Sequence, residues 1–195
     1  MVRITSVRFT ASSHSLDWMP RQVLPEIAFA GRSNVGKSSL INCLVQRKRL
    51  AQASSTPGRT RCINFYNVNN VICLVDLPGY GYSKASKTLR AKLAPLIEAY
   101  LSSGRPSLCV SLVDCRRPPE RSDVFLWQWL AAHNVAFVVA ATKADKISRS
   151  KHNAAVEAIT GAIEGLQSSQ VILFSSKTGM GRAELLRRIF SHAKK

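Results

Sequence analysis

Acidic residues are scarce in this chain of 195 residues. Asp and Glu together number 11 against 28 Lys and Arg, which leaves a formal net charge of +17. A basic surplus of that size favours a polyanionic partner, and nucleic acid is the usual one. Long apolar runs are also missing, because no stretch reaches the roughly 18 residues that a membrane span needs. We therefore expect no membrane association.

Other signals are missing as well. Residues 1–9 lack the apolar run of a secretory peptide, so we expect a cytoplasmic protein. The five cysteines include no CxxC pair, which favours reduced thiols over a zinc site or a disulfide framework. Gly, Pro and the hydrophobic residues occur at ordinary globular levels, which excludes collagen-like and low-complexity chains and favours one folded domain.

Strand-like and helix-like segments alternate along the chain. The strand-like segments are 26–30, 62–68, 71–76, 108–114, 135–142 and 171–175, and the helix-like segments are 37–47, 87–102, 122–133, 148–165 and 181–193. This alternation predicts an α/β fold with a mostly parallel six-stranded sheet and helices on both faces. Only Asn69 and Asn70 separate the second and third strands, which predicts a hairpin and one antiparallel edge strand. We expect a short N-terminal extension over 1–24 and a single domain over 25–195.

The sharpest motif is a phosphate loop at residues 31–38. The segment GRSNVGKS matches G-x-x-x-x-G-K-[ST] in full, follows a strand-like run and opens a helix-like one. Its glycines let backbone N–H groups turn towards phosphates, and the helix N-terminus adds its dipole. We expect Lys37 to reach the β- and γ-phosphates and the Ser38 hydroxyl to ligate Mg²⁺. The loop therefore predicts a nucleoside triphosphate without saying which one.

Three later segments resemble the boxes of GTPases. Residues 76–79 (DLPG) look like the DxxG box, in which the Asp holds Mg²⁺ through water and the Gly N–H contacts the γ-phosphate. Residues 142–145 (TKAD) are similar to the guanine box NKxD, with Thr142 in place of Asn, and 175–177 (SSK) resemble the SAK box. Asp145 would pair with two N–H donors of guanine and remain unpaired with adenine. The order of the four motifs along the chain (phosphate loop, DLPG, TKAD and SSK) favours GTP as the ligand and argues against an ATP-dependent kinase.

The switch threonine and the catalytic glutamine are less clear from the sequence. Thr56 and Thr60 both lie in the segment 54–61 (SSTPGRTR), where a GTPase threonine closes over Mg²⁺ in the GTP state. The string PGRTR resembles the PGxTR switch of translation-related bacterial GTPases, which favours Thr60. Ras-like enzymes place Gln after DxxG to orient the attacking water, but this chain has Tyr80, so we expect slow intrinsic hydrolysis. A partner, or K⁺ bound with the help of Asn34, is a candidate replacement; a loop-capping amide is the alternative role of Asn34.

Together, the segments GRSNVGKSS, STPGRTR, NFY, DLPGYGYSK, DCR at the strand end 114–116, TKADK and FSSKTG resemble the EngB family of bacterial GTP-binding proteins over essentially the whole chain. The resemblance implies a Ras-like phosphate-loop G domain that hydrolyses GTP and acts as a switch in assembly of the large ribosomal subunit. It also implies a link to septum formation in cell division. The implied partners are GTP or GDP and the large ribosomal subunit or its precursor, with its ribosomal RNA and proteins. The alternative is an rRNA-binding module that holds GTP or GDP as a structural ligand. We expect a monomer.

The motifs and the resemblance together assign the site residues. Catalytic roles are expected for Lys37, Thr60, Gly79 and Asn34. Phosphate contacts are expected from Gly31, Arg32, Ser33, Asn34, Val35, Gly36, Lys37, Ser38, Gly58, Arg59, Thr60, Asp76, Leu77, Pro78 and Gly79. Guanine contacts are expected from Thr142, Lys143, Asp145, Phe174, Ser175 and Ser176. The expected Mg²⁺ ligands are Ser38, Thr60 and, through water, Asp76. The basic clusters at 47–49, 116–117 and 187–188 are candidate contacts to ribosomal RNA.

Overall fold

The computed structural model describes residues 3–47, 50–51, 62–80 and 87–193, with backbone alone for 16 and 87–94. The strands are β1 (Val7–Ser13), β2 (Glu26–Gly31), β3 (Ile63–Val68), β4 (Ile72–Asp76), β5 (Pro106–Asp114), β6 (Phe137–Thr142) and β7 (Val171–Leu173). The helices are α1 (Lys37–Val45), α2 (Lys87–Ser102), α3 (Arg121–Ala132), α4 (His152–Thr160) and α5 (Arg182–His192). The strands form one sheet in the order β1-β3-β4-β2-β5-β6-β7.

The predicted α/β class is confirmed. The strands β4, β2, β5, β6 and β7 run parallel, and β2 is buried along its whole length. Ile27 and Phe29 of β2 enter the core cluster that α1 and α5 cover, whereas Ala28 and Ala30 enter the cluster that α2 and α3 cover. A strand buried on both faces needs apolar side chains at successive positions, which explains the continuous apolar run of β2.

The sheet has seven strands where the sequence analysis expected six. The additional strand β1 lies within the expected N-terminal extension and pairs antiparallel with β3, which itself pairs antiparallel with β4. The antiparallel strand is therefore β3, but the sheet edge beyond it is β1. Most of β1 is exposed, so it lacks the apolar pattern by which strands are recognised. The residues just before β1 are held in place by Asn69, in the turn between β3 and β4. Asn69 Oδ1 accepts hydrogen bonds from Thr5 N at 2.8 Å and Ser6 N at 2.9 Å.

Local backbone geometry explains where the elements turn or end. Asn69 and Asn70 have φ values of 56° and 54°, the left-handed conformation that a two-residue hairpin needs and that Asn tolerates. The helix expected over 148–165 is shorter, because α4 ends at Thr160 and is preceded by a short 3₁₀ helix at Arg149–Lys151. Of the helices that the described ranges contain, none is long and apolar enough to cross a bilayer.

The C-terminus of α1 is capped by a side chain from α5. Arg182 donates from Nε to the Cys43 carbonyl at 2.9 Å and from Nη2 to the Leu44 carbonyl at 2.7 Å. The last carbonyls of a helix lack partners within the helix. Arg182 supplies the Leu44 carbonyl with a donor and adds a second donor to the Cys43 carbonyl, which also accepts from Gln46 N at 3.3 Å. Because α1 begins at the phosphate loop, the contact also fixes the helix that carries Lys37 and Ser38.

We expect the Arg182→Met substitution to lower the free energy of unfolding by about 1–3 kcal/mol, because it removes charge-assisted bonds to two carbonyls and keeps the apolar stem. Urea denaturation measures the change. The control is Arg187→Met on the same helix, where the side chain is exposed and the expected change is within about 0.5 kcal/mol. Equal losses in the two variants would contradict the capping role.

Candidate functional site

The phosphate loop, residues 31–38, connects the carboxyl end of β2 to the N-terminus of α1. Asn34 and Gly36 have φ values of 64° and 107°, left-handed conformations that turn successive N–H groups to one side. A Cβ at Gly31 would lie 2.9 Å from Val35 Cγ1 and 3.0 Å from Leu112 Cβ, so packing requires glycine there. The loop and the start of α1 therefore form a concave backbone surface suited to an anion.

Lys37 and Asp76 meet beside the phosphate loop. Lys37 is the first residue of α1 and Asp76 the last of β4, and their buried side chains form an ion pair. Ser38 follows Lys37 in the same turn, and Leu77 and Pro78 continue from Asp76 as buried residues. An ammonium suits a phosphate, and hydroxyl and carboxylate oxygens suit Mg²⁺. These side chains fit the predicted roles of phosphate and Mg²⁺ ligands.

The DxxG segment is joined to the phosphate loop through its backbone. Tyr80 N donates to the Gly31 carbonyl at 3.3 Å, and Ser33 N donates to the Tyr80 carbonyl at 3.1 Å. Gly79 lies against Ser33 so closely that a Cβ on Gly79 would be 3.0 Å from Ser33 Oγ. The glycine expected to contact a γ-phosphate is therefore held beside the loop that would bind the phosphates.

The Tyr80 side chain, at the position of the expected glutamine, is anchored to α3. Its hydroxyl donates to Asp123 Oδ1 at 3.1 Å, and the other oxygen of Asp123 accepts from Glu120 N at 3.0 Å. Burial, the charge of Asp123 and the hydrogen bond to it raise the pKa of Tyr80 well above its ordinary value. Burial also raises the pKa of Asp123. This contact could not be predicted from the sequence, because nothing in the local pattern of α3 distinguishes Asp123 from an ordinary acidic residue in the first turn of a helix.

Lys143 links the TKAD segment to the phosphate loop. Its Nζ donates to the Asn34 carbonyl and to Asp114 Oδ2, each at 2.9 Å. Asp114, at the end of β5, also accepts from Arg116 Nε at 2.9 Å and Nη2 at 2.7 Å. Burial acts to raise the pKa of Asp114, but the hydrogen bonds from Arg116 and Lys143 outweigh it and hold the pKa well below its usual range. Asp114 therefore holds the Lys143 side chain in place, a role that was not predicted from the sequence.

Thr142 ties β6 to the phosphate loop from the same side. Its buried hydroxyl lies 2.7 Å from the Val35 carbonyl and 3.0 Å from the Val113 carbonyl, and it shares its one proton between them. The residue that departs from the NKxD pattern therefore still makes a hydrogen bond to the phosphate loop. The sequence analysis placed Thr142 among guanine contacts; the structure brings it to the loop backbone.

The remaining predicted guanine contacts lie where β6 and β7 end. Asp145 accepts a hydrogen bond from the buried Ser175 hydroxyl at 2.7 Å, and this bond lowers the pKa of Asp145. Ser176 is exposed beside it. The Phe174 ring is fully buried in the core, and its carbonyl accepts from Ala144 N at 3.1 Å. Phe174 thus stabilises the TKAD segment through its backbone carbonyl. Its buried side chain has no surface that a guanine base could contact.

Several predicted residues fall outside the described ranges: Gly58, Arg59, Thr60, the competing Thr56, and Lys48 and Arg49 of the first basic cluster. Their assignments stay predictions. Asn34 is exposed, and its backbone carbonyl is the acceptor for Lys143. A role of its side chain in binding K⁺ also stays a prediction.

Comparisons with known proteins agree with this arrangement. A family model described as 50S ribosome-binding GTPase matches residues 26–143. A probable GTP-binding protein EngB of Geobacter metallireducens is 47% identical over 190 residues, which cover 96% of this chain and 92% of the relative. A protein of the same name in Shouchella clausii is 40% identical over 194 residues, covering 99% and 98%. The chain belongs to the EngB family of GTP-binding proteins.

A solved structure supports the same conclusion. The crystal structure of a probable GTP-binding protein EngB matches this EngB-family chain with a TM-score of 0.73 and 27% sequence identity. The match covers 87% of this chain and 98% of the other. The phosphate-loop GTPase fold is therefore confirmed, and the resemblance noted in the sequence is a family relationship.

We expect Thr142→Val to weaken guanine-nucleotide binding in this EngB-family chain. Valine keeps the shape of threonine but leaves the Val35 and Val113 carbonyls without their donor, which costs about 1–3 kcal/mol. Calorimetric titration with GDP measures the affinity, and urea denaturation measures the stability. The control is Thr160→Val, which removes a hydroxyl bonded to the Val156 carbonyl in α4. Unchanged GDP affinity in the Thr142 variant would contradict the proposed link.

Proposed function

We propose that this chain binds GTP with Mg²⁺, hydrolyses it slowly and acts as a GTP/GDP switch in assembly of the bacterial large ribosomal subunit. The observation that carries the proposal is one continuous set of contacts. Lys37 and Asp76 meet beside the phosphate loop, and Thr142 and Lys143 tie that loop to the segment that holds Asp145. Groups suited to a triphosphate and to guanine thus lie along one edge of one sheet.

In this proposal the base is recognised by Asp145. The hydrogen bond from Ser175 orients the carboxylate and favours its ionised form. An ionised carboxylate accepts the two N–H donors of the guanine edge, and adenine offers no such pair. The stem of Lys143, stretched towards Asn34 and Asp114, forms a surface beside the base.

Phosphate binding and hydrolysis divide among different residues. Lys37 binds the β- and γ-phosphates, and Gly79 contacts the γ-phosphate. Ser38, Thr60 and, through water, Asp76 would hold Mg²⁺, which when bound neutralises developing phosphate charge. Hydrolysis is slow because the Tyr80 hydroxyl donates to Asp123 and a phenol supplies no amide to orient water. The missing group comes from a partner or from K⁺ near Asn34. A cavity of about 370 Å³ between the phosphate loop and the loop after β5 has room for a side chain of such a partner.

The ribosomal role is supported by the family description and by charge. The matching family model is described as a 50S ribosome-binding GTPase, and a net charge of +17 suits ribosomal RNA. Of the predicted clusters, Arg116 pairs with Asp114, and Arg188 donates to the Ser169 carbonyl. Arg117 and Arg187 are exposed and form no ion pair within the described ranges, so they are the better RNA contacts. We further propose a cytoplasmic monomer in which the N-terminal segment 1–24 contributes β1 to the sheet of the G domain. We also propose that the protein is required for normal septation in cell division.

One observation favours a second function, an rRNA-binding module that holds the nucleotide as a structural ligand. Tyr80 replaces the water-orienting residue, and its side chain is engaged by Asp123. Hydrolysis would then be incidental, and ribosome binding would not depend on the γ-phosphate.

We expect Asp145→Asn to shift nucleotide preference from guanine to xanthine. The amide N–H₂ of asparagine is a donor where the carboxylate oxygen was an acceptor. Xanthine has a carbonyl acceptor at the position of the guanine amino group, so it pairs with this amide. Fluorescence titration with GDP and XDP measures the two affinities, and the expected ratio changes by about tenfold or more, equal to roughly 1.4 kcal/mol. An unchanged GDP-to-XDP ratio would refute the guanine role of Asp145.

Co-sedimentation with large ribosomal subunits in KCl tests the switch itself. We expect a non-hydrolysable GTP analogue to support binding and GDP to support much less, with affinity falling steeply as KCl rises because phosphate contacts release counterions. The Asp145→Asn variant, at an analogue concentration that saturates only the wild type, is the matched control, since it keeps the basic surface and binds the guanine nucleotide more weakly. Equal binding with both nucleotides would favour the structural-ligand function, and no binding would remove the ribosomal assignment.

A further inference from the structure

Four residues form a closed set of contacts that we call the anchor network: Arg32, Tyr80, Glu120 and Asp123. The Tyr80 hydroxyl donates to Asp123 Oδ1 at 3.1 Å, and Glu120 N donates to Asp123 Oδ2 at 3.0 Å. Glu120 forms an ion pair with Arg32, whose backbone pairs with that of Tyr80 in a parallel β-bridge. The network joins the phosphate loop, the residue after DxxG and the start of α3.

The two side-chain contacts of the anchor network, the Tyr80–Asp123 hydrogen bond and the Arg32–Glu120 ion pair, differ in strength. Asp123 is only 2% exposed, so its carboxylate depends on its hydrogen bonds, whereas the Arg32 and Glu120 side chains are 30% and 46% exposed. Exposed ion pairs are screened and contribute little. Leaving one oxygen of a buried carboxylate without a donor costs more, and the Tyr80 hydroxyl is the donor to Asp123 Oδ1. The Tyr80–Asp123 bond is therefore the contact on which the network depends.

The anchor network holds one residue from two sides. The backbone of Tyr80 is bonded to Gly31 and Ser33 of the phosphate loop, and its side chain is bonded to α3. Gly79, the preceding residue, lies against Ser33. A residue fixed at both backbone and side chain leaves its neighbour little freedom to move away from the loop.

We propose that Tyr80 is a positioning residue, which through Asp123 holds Gly79 beside the phosphate loop so that preference for GTP over GDP depends on the Tyr80 hydroxyl. The inference rests on the proposed function in one respect, the contact of Gly79 with the γ-phosphate. GDP lacks that phosphate, so its affinity does not depend on where Gly79 sits. The tyrosine at this position is therefore not simply a missing glutamine.

The chain contains a matched control for this tyrosine. The Tyr100 hydroxyl donates to Glu26 Oε2 at 2.8 Å, and Glu26 is also only 2% exposed. Burial and a carboxylate neighbour raise the pKa of Tyr100, as they do that of Tyr80. Glu26 begins β2 whereas Gly31 ends it, so this second tyrosine–carboxylate bond lies at the opposite end of the sheet from the phosphate loop. Tyr100→Phe thus removes the same kind of hydroxyl–carboxylate bond without touching the site, and Glu26 keeps its ion pair with Arg105.

The test measures equilibrium affinities for GDP and for a non-hydrolysable GTP analogue, with Mg²⁺, in the wild type, Tyr80→Phe and Tyr100→Phe. We expect Tyr80→Phe to lower the preference for the analogue over GDP about fivefold or more, as typical couplings between sites do. We expect GDP affinity to stay unchanged in this variant and the preference to stay unchanged in Tyr100→Phe. Equal preferences in all three proteins, or equal shifts in both variants, would overturn the proposal.

A second variant guards against a folding defect. Thermal unfolding shows whether Tyr80→Phe folds; if it does not, Glu120→Gln opens the anchor network at its exposed side. The expected shift in preference is then about twofold in the same direction, because an exposed ion pair contributes less. An unchanged preference in Glu120→Gln would then overturn the proposal. If the wild type binds neither guanine nucleotide, the proposed function fails; if it binds both and the variants match it, only the role of Tyr80 fails.

Discussion

The parallel register around β2 is the constraint on which the site depends. Parallel strands end at the same edge of a sheet, and β4, β2, β5 and β6 end at Asp76, Gly31, Asp114 and Thr142. Each of these residues contributes to the site or to its support. The register places Phe29 beside Asp76 and Asp114 beside Thr142, so the motif residues converge although they are far apart in the sequence. Ligands in open α/β sheets bind outside this carboxyl edge for the same reason.

The phosphate loop is stabilised from outside as much as by its own glycines. Tyr80 bonds to it from the end of β4, and Thr142 and Lys143 bond to it from the end of β6. Asp114 holds the ammonium of Lys143 in place, and the low pKa of this carboxyl keeps it charged across the physiological range. A left-handed, backbone-lined loop has few side-chain contacts of its own. Neighbouring strands therefore supply the rigidity that preorganised anion binding needs.

The motifs are visible in the sequence, whereas the contacts that support them are not, for physical reasons. The phosphate loop, DxxG and TKAD carry fixed residue types at fixed spacing, because each type is required by the chemistry of the ligand. The roles of Asp123 and Asp114 could not be predicted, since they arise from contacts between residues that are distant in the chain. The strand β1 was missed because an exposed edge strand has no apolar periodicity to recognise.

The contacts of Thr142 and Tyr80 show how a departure from the general GTPase pattern can keep a structural contact. Thr142 lacks the amide of asparagine but bonds to the phosphate loop through its hydroxyl. Tyr80 lacks the amide of glutamine but fixes the segment beside the loop through Asp123. In both cases a hydroxyl replaces the amide, and that hydroxyl forms a hydrogen bond to a neighbouring segment of the fold. In the proposed function, nucleotide sensing depends on a held Gly79, whereas hydrolysis depends on an oriented water. The proposed switch therefore retains its bound GTP until an external group completes the catalytic site.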